Sequence, residues 1–183
     1  MEIVTRSKLQ QFRLNVAGVS AVEFALLAPL LIMIYFGLAE STQLMLAERR
    51  ISQVAYSVGD LVSRTDQIDD AEMADIFSVA KVIMEPFPVS TVLGIRVTSV
   101  AILENGQSRA VWSDATGTMR AHPPDMPVTL EANSVKPGET VVISEVSYLY
   151  RGLSTLVLTD GMVLQGKFYH RPRKSDAVIR IKS

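Results

Sequence analysis

Residues 18–39 read Gly18-Val-Ser-Ala-Val-Glu23-Phe24-Ala-Leu-Leu-Ala-Pro29-Leu-Leu-Ile-Met-Ile-Tyr35-Phe36-Gly37-Leu-Ala39. From Val19 onward this stretch carries a single charge, Glu23. At roughly 1.5 Å per residue, about twenty such residues form a helix about 30 Å long, the thickness of bilayer hydrocarbon. Glu23 sits inside the start of the run, where an ionisable side chain costs free energy unless something pairs with it. Ahead of the run lies a polar leader carrying Arg6, Lys8 and Arg13, and no Lys or Arg follows until Arg49. That asymmetry places residues 1–18 on the cytoplasmic side of a membrane and the C-terminal part outside.

The apolar run admits three descriptions. A cleaved secretory signal would have a shorter hydrophobic region and a small-x-small site, which Gly37-Leu38-Ala39 resembles only weakly. An uncleaved signal anchor fits the length. Neither gives a reason for Gly18 and Glu23. The third takes the two together. Without a side chain, Gly18 lets the backbone lie extended and close inside a narrow protease site. Cleavage after it would give Val19 a new amine and make Glu23 the fifth residue of the mature chain. Glu23 would then pair with an amine of a neighbouring subunit, offsetting the cost of a carboxylate in lipid. The simpler alternative keeps Gly18 as a helix boundary and Glu23 as a first-turn carboxylate favoured by the helix dipole.

Working outward, 183 residues suffice for one membrane helix and one modest soluble domain. Hydrophobic content is 48%, and its excess is concentrated between Val19 and Ala39. A net charge of −1 offers no electrostatic case for nucleic acid. Cysteine is absent, which removes disulfides, thiolate metal sites and cysteine nucleophiles.

Pro29 frees a carbonyl inside the span, a disruption that membrane helices tolerate. Beyond the span the helix is expected to continue to about Arg64, because Leu44, Ala47, Ile51, Val54, Val58 and Leu61 recur at helical spacing. Gln43, Glu48, Arg49, Gln53 and Asp60 fall on the other faces. The seam suits packing against the chain's own domain, with helix–helix association as the alternative. A polar break at Ser63–Ile68 precedes a second helix, which Asp69 and Glu72 open at capping-box spacing. Met73, Ile76, Phe77, Ala80, Ile83 and Met84 share its apolar face, and Glu85-Pro86-Phe87-Pro88 stops it.

The texture then turns to β. Val92–Leu103 and Gln107–Ser113 read as strands joined by a type I′ turn at Asn105-Gly106. A proline-rich loop over 114–137 carries one short strand near Val128–Leu130. Thr140–Tyr150 is the clearest strand, Leu153–Leu158 is ambiguous, and Val163–Tyr169 and Ala177–Ile181 are further strands. The order helix, helix, antiparallel sheet predicts an α+β fold.

Catalytic constellations are missing from this pattern. The two histidines, His122 and His170, have no metal-ligand spacing. No serine lies in a Gly-x-Ser-x-Gly elbow, and no glycine-rich phosphate loop occurs. Asp69-Asp70 is explained by helix capping, and Arg171-Pro-Arg173-Lys174 by a solvated turn, with a lipid-headgroup or partner contact as the alternative. The reading is of a chain that is not an enzyme, with no metal, no cofactor and no small-molecule substrate.

A basic leader, glycine before a cut and glutamate at the fifth mature position resembles the type IV prepilin pattern. The fuller run Gly18 to Leu30 looks like the TadE/TadF pseudopilins of the tight-adherence (Flp, type IVb) pilus system. Glu145-Val-Ser-Tyr-Leu-Tyr150 and Tyr169-His-Arg-Pro-Arg173 are similar, more loosely, to the sheet region of TadE-like proteins. The resemblance implies cleavage between Gly18 and Val19 by a prepilin peptidase, Glu23 as the assembly glutamate and Phe24 as the aromatic that follows it. Val19 stands where typical type IV pilins carry Phe. The chain is longer than the major Flp pilin, which implies a minor subunit working with other pilins and pilus assembly platform proteins in cell adhesion. Three segments are then expected: a cytoplasmic leader at 1–18, a transmembrane helix at 19–39 and a periplasmic pilin-like α+β domain at 40–183, anchored in a bacterial inner membrane. The competing expectation is a signal-anchored periplasmic binding or sensor module.

Overall fold

In the computed structural model, residues 17–130, 136–152 and 161–182 are described. The leader charges Arg6, Lys8 and Arg13 and the ambiguous stretch 153–158 lie outside them. The chain divides into two compact units, Met1–Thr42 and Gln43–Ser183.

Helix α1 runs over Ala17–Ser63 and passes unbroken through Pro29. In the first unit, none of residues 18–39 is buried. In the second, the same helix presents a packed face: Ala47, Ile51, Val54, Ala55, Val58 and Val62 are buried. Leu44 and Leu61, at the ends of the expected seam, are only half-buried. The addition of Ala55 and Val62 follows from what the helix packs on. A 3,4 seam is the narrow stripe of a coiled coil, whereas a helix on a broad surface buries a stripe of 100° or more. The seam therefore packs into its own domain, as expected.

After α1, the expected polar break contains a two-residue strand, β1 (Gln67–Ile68). Helix α2 (Asp70–Ile83) starts at the N-cap Asp69, whose side chain accepts from the Glu72 N–H at 2.8 Å while the Glu72 carboxylate accepts from the Asp69 N–H at 3.2 Å. Met73, Ala80 and Met84 are buried, with Ile76, Phe77 and Ile83 packed beside them.

Strands β2 (Leu93–Ile102), β3 (Ser108–Gly117), β4 (Thr140–Tyr150) and β5 (Met162–His170) form an antiparallel sheet in the order β3-β2-β4-β5. The β2–β3 connection is not the expected type I′ turn. That turn needs positive φ at both central residues, and here Gly106 is positive (φ 78°) while Asn105 is not. The Gly106 N–H instead donates to the Leu103 carbonyl at 2.8 Å and the Leu103 N–H to Gln107, closing a longer loop with glycine at its left-handed position. At Pro127 the long loop bridges back to Arg109, and the Val128 N–H donates to the Ser108 carbonyl. This extends the β3 edge slightly earlier than the strand expected at 128–130.

The alternation along β4 divides the core. Val142, Val146, Tyr148 and Tyr150 join Ile95, Val97 and Trp112 in the main core with α1 and α2. Val141 and Ile143 join Val100 and Ile102 in a smaller cluster that also touches Val128, Leu130 and Tyr169. The last expected strand does not join this sheet. β6 (Ile179–Arg180) pairs in parallel with β1, and the Trp112 indole donates to the Val178 carbonyl at 2.7 Å. The α1–α2 connection is thereby tied to the chain's end.

Candidate functional site

The motif residues Gly18, Val19, Glu23 and Phe24 fall in the first turns of α1. Val19 is 55% exposed and Phe24 68%, and nothing within 4 Å would meet a side chain added at Gly18. All four are exposed on an apolar helix. Gly18 already lies within the helix, so an extended conformation at the 18–19 bond requires the first turn to unwind. Little is lost by doing so, since terminal turns lack part of their hydrogen bonding.

A second cluster, which sequence patterns did not bring together, lies where α1 crosses β4 and β5. Asp60, expected on a face other than the apolar seam, is 8% exposed. Its carboxylate accepts from Arg64 at 2.6 Å and from Arg173 at 2.6 Å. Arg173, expected in a solvated turn, also donates its backbone N–H to the Ser63 carbonyl. His170, expected at a strand end, does end β5 but is buried there, its ring 5.2 Å from that of Tyr56. The glycine at position 59 is what permits this crossing: a Cβ there would lie 2.8 Å from His170 Nε2 and 3.2 Å from Ser144 Cβ. Burial pulls the His170 imidazole below its ordinary value, the Asp60 carboxylate opposes that pull, and Arg173 adds to it. His170 Nε2 and the hydroxyls of Ser99 and Ser144 are buried without hydrogen-bond partners among the described residues. A Gly-Asp pair late in a helix, matched with a His-x-x-Arg run at a strand end, was the only available signal, and it has no periodicity.

Arg180 forms another tie. Its guanidinium bonds Asp114 and Asp70 and donates to the Ile68 carbonyl at 3.3 Å. Burial works against its charge, but the bonds to Asp114 and Asp70 outweigh it and raise the pKa. Asp70 thus adds an ion pair to the helix-start role expected of Asp69-Asp70. Arg171 similarly pairs with Glu139 at 3.2 Å.

His122 lines an open cleft of ≈ 670 Å³ with Trp112, Ser113, Arg180 and Lys182 among others. Burial lowers its pKa, Arg96 and Lys167 reinforce this, and Glu145 opposes it. The cleft's Ser113 Oγ is engaged elsewhere, donating to the Val97 carbonyl at 3.1 Å with the Thr98 hydroxyl at 2.9 Å. Among the described residues no group of three or more His, Cys, Asp or Glu is arranged to hold a metal ion.

Among the described residues one helix, near the N-terminus, is long and apolar enough to cross a membrane, and an α+β unit follows it in the chain. Against known families, the model described as TadE-like protein matches residues 18–59, beginning at Gly18 and ending at Gly59. The resemblance read from the N-terminal motif is thus shown over the apolar run and most of the packed half of α1. Neither the curated proteins nor the solved structures contain a match to the chain.

Proposed function

We propose that this protein is a minor, pilin-like component in the biogenesis of Flp (type IVb) tight-adherence pili, cleaved after Gly18 and assembling through its N-terminal helix. The observation that carries this reading is the TadE-like match over residues 18–59, which supports involvement in the Tad/Flp pilus system. In this reading a prepilin peptidase cuts between Gly18 and Val19 and removes Arg6, Lys8 and Arg13 with the leader. The charges that hold the helix at the cytoplasmic face of the inner membrane leave with it. Glu23 then meets the amine of a neighbouring subunit, Phe24 packs beside it, and the C-terminal unit faces the periplasm. No catalytic role, cofactor or nucleic-acid partner belongs to this reading.

Intact-mass analysis of protein purified from membranes tests the cut: a chain starting at Val19 is expected in cells with an active prepilin peptidase. A chain still starting at Met1 there would refute cleavage. Glu23→Ala is expected to leave cleavage largely intact and to lower pilus yield, and normal piliation in that variant would remove the role given to the carboxylate. The second reading, a signal-anchored periplasmic binding or sensor module, is favoured by an apolar cavity in the C-terminal unit. Replacing residues 1–39 with an unrelated signal anchor separates the two, since only the module retains function.

A further inference from the structure

Within the C-terminal unit, a cavity of ≈ 380 Å³ is bounded by Gln43, Pro86, Phe87, Pro88, Val92 and the β4 end from Tyr148 to Arg151. Phe87 stands edge-on to Tyr148 and to Tyr150, with ring centroids 6.4 and 6.5 Å away. The volume falls in the range of small-molecule sites, which combine apolar walls with a few polar groups. Pro86 and Pro88 have no backbone N–H, so this part of the wall cannot pair with an added peptide strand. An alkyl chain needs no such donor. The lining residues with polar side chains are few: Arg151, Gln43, Tyr150 and, through its phenol, Tyr148. Burial alone raises the phenol's pKa, so it remains a neutral hydroxyl able to donate. Gln43 belongs to α1 and comes four residues after Ala39, the last residue of the apolar run. One wall of the cavity is therefore supplied by the turn of helix that follows the apolar run.

We propose that this cavity takes one acyl chain of an anionic membrane phospholipid, its hydrocarbon against Phe87, Val92 and the two tyrosines and its headgroup at Arg151. The cation selects an anionic head, the apolar walls accept a tail, and Gln43 follows the apolar run by only four residues of chain. This goes beyond the pilus reading and rests on only one part of it, the insertion of the apolar run in a bilayer.

The full-length protein in nanodiscs of phosphatidylcholine, doped with phosphatidylglycerol bearing a diazirine on one acyl chain, provides the test. Irradiation followed by peptide mass spectrometry is expected to show adducts at Phe87–Val92 and Tyr148–Arg151 as well as within 19–39. Val92→Trp fills the cavity and is expected to abolish the first two adducts but not the third. Gln43→Trp, which fills the cavity from the α1 wall, gives the same result if Val92→Trp fails to fold. Arg151→Gln is expected to reduce the preference for phosphatidylglycerol over a phosphatidylcholine probe about fivefold, the effect of one basic residue at an anionic surface. Adducts confined to 19–39 would overturn the lipid site while leaving the membrane helix standing. Cavity adducts that persist in both tryptophan variants would overturn it too. A protein that fails to enter nanodiscs would remove both readings.

Discussion

The two halves of α1 are one helix by backbone and two different objects by environment. Ile32, in the first half, is 55% exposed, whereas Ile51, in the second, is 1% exposed. Gly37 has nothing within 4 Å of the place a side chain would occupy, whereas Gly59 is pressed against His170 and Ser144. Glu23 stands on the exposed apolar face, whereas Asp60 is held between two arginines. Residue type alone does not set these roles. The second half has a sheet to bury its apolar stripe against, so a polar residue that falls beneath that surface, as Asp60 does, finds partners within the domain. The first half has no such surface for residues 18–39, so its apolar side chains and Glu23 stand exposed together.

Paired substitutions sharpen this contrast, and the only tryptophan, Trp112, is a convenient reporter because it is buried in the main core. The largest difference is expected between Ile51→Ala and Ile32→Ala. The first should destabilise the C-terminal unit by about 2–5 kcal/mol in denaturant unfolding, through lost burial plus the cavity left behind. The second should leave the same transition within about 0.5 kcal/mol. Equal effects would mean that the two halves are not energetically distinct. Gly59→Ala comes next. Its methyl group would meet the imidazole of His170, an overpacking that costs about 1–3 kcal/mol, while Gly37→Ala should not lower the transition. An unchanged midpoint in Gly59→Ala would show that α1 can lift off β5 without penalty. Asp60→Asn should cost less, about 1 kcal/mol, because Arg64 and Arg173 are both more than half exposed and water screens what they lose. Glu23→Gln should leave the fluorescence transition unaltered, its consequence being confined to assembly.

Features written in local chemistry were legible before the structure. The Asp69–Glu72 capping box, the β4 alternation and the apolar stripe of α1 each place their signal within a few residues. The Asn105-Gly106 pair located a hairpin but misassigned its turn, because glycine satisfies a left-handed position in more than one loop length. What escaped was non-local or too short to have a period. Two-residue strands such as β1 and β6 carry no alternation, and their parallel pairing joins residues over a hundred positions apart. Asp60 lies off the narrow 3,4 seam, and only the wider stripe of a helix on a sheet brings it inside. The N-terminal motif shows the opposite relation. Gly18, Val19, Glu23 and Phe24 were conspicuous in the sequence and make little structure in the isolated chain. Their expected work requires a membrane, a peptidase and a neighbour.

The smallest expected effect concerns acid, and it distinguishes the crossing of α1 over β5 from the free half of the helix. His170 is faced by Asp60 and Tyr56 from α1 and by Arg173 from the segment after β5. Burial is the main cause of its lowered pKa, so the folded state binds fewer protons at this site than the unfolded state once the pH drops below the imidazole's ordinary value of 6.5. Stability from this group is fully present above that value and is lost as the pH falls towards the lowered folded value. The denaturation midpoint of the C-terminal unit should therefore decline on acidification from pH 7 to 5, with part of the decline removed in His170→Gln. Carboxylates contribute to acid sensitivity as well, so the difference between the two proteins carries the information, not either slope alone. A variant with the same acid slope as the parent would mean that protonating the imidazole beneath Gly59 costs the fold nothing. The crossing would then have room to relax around the charge, and the close contact at Gly59 would be a matter of packing only.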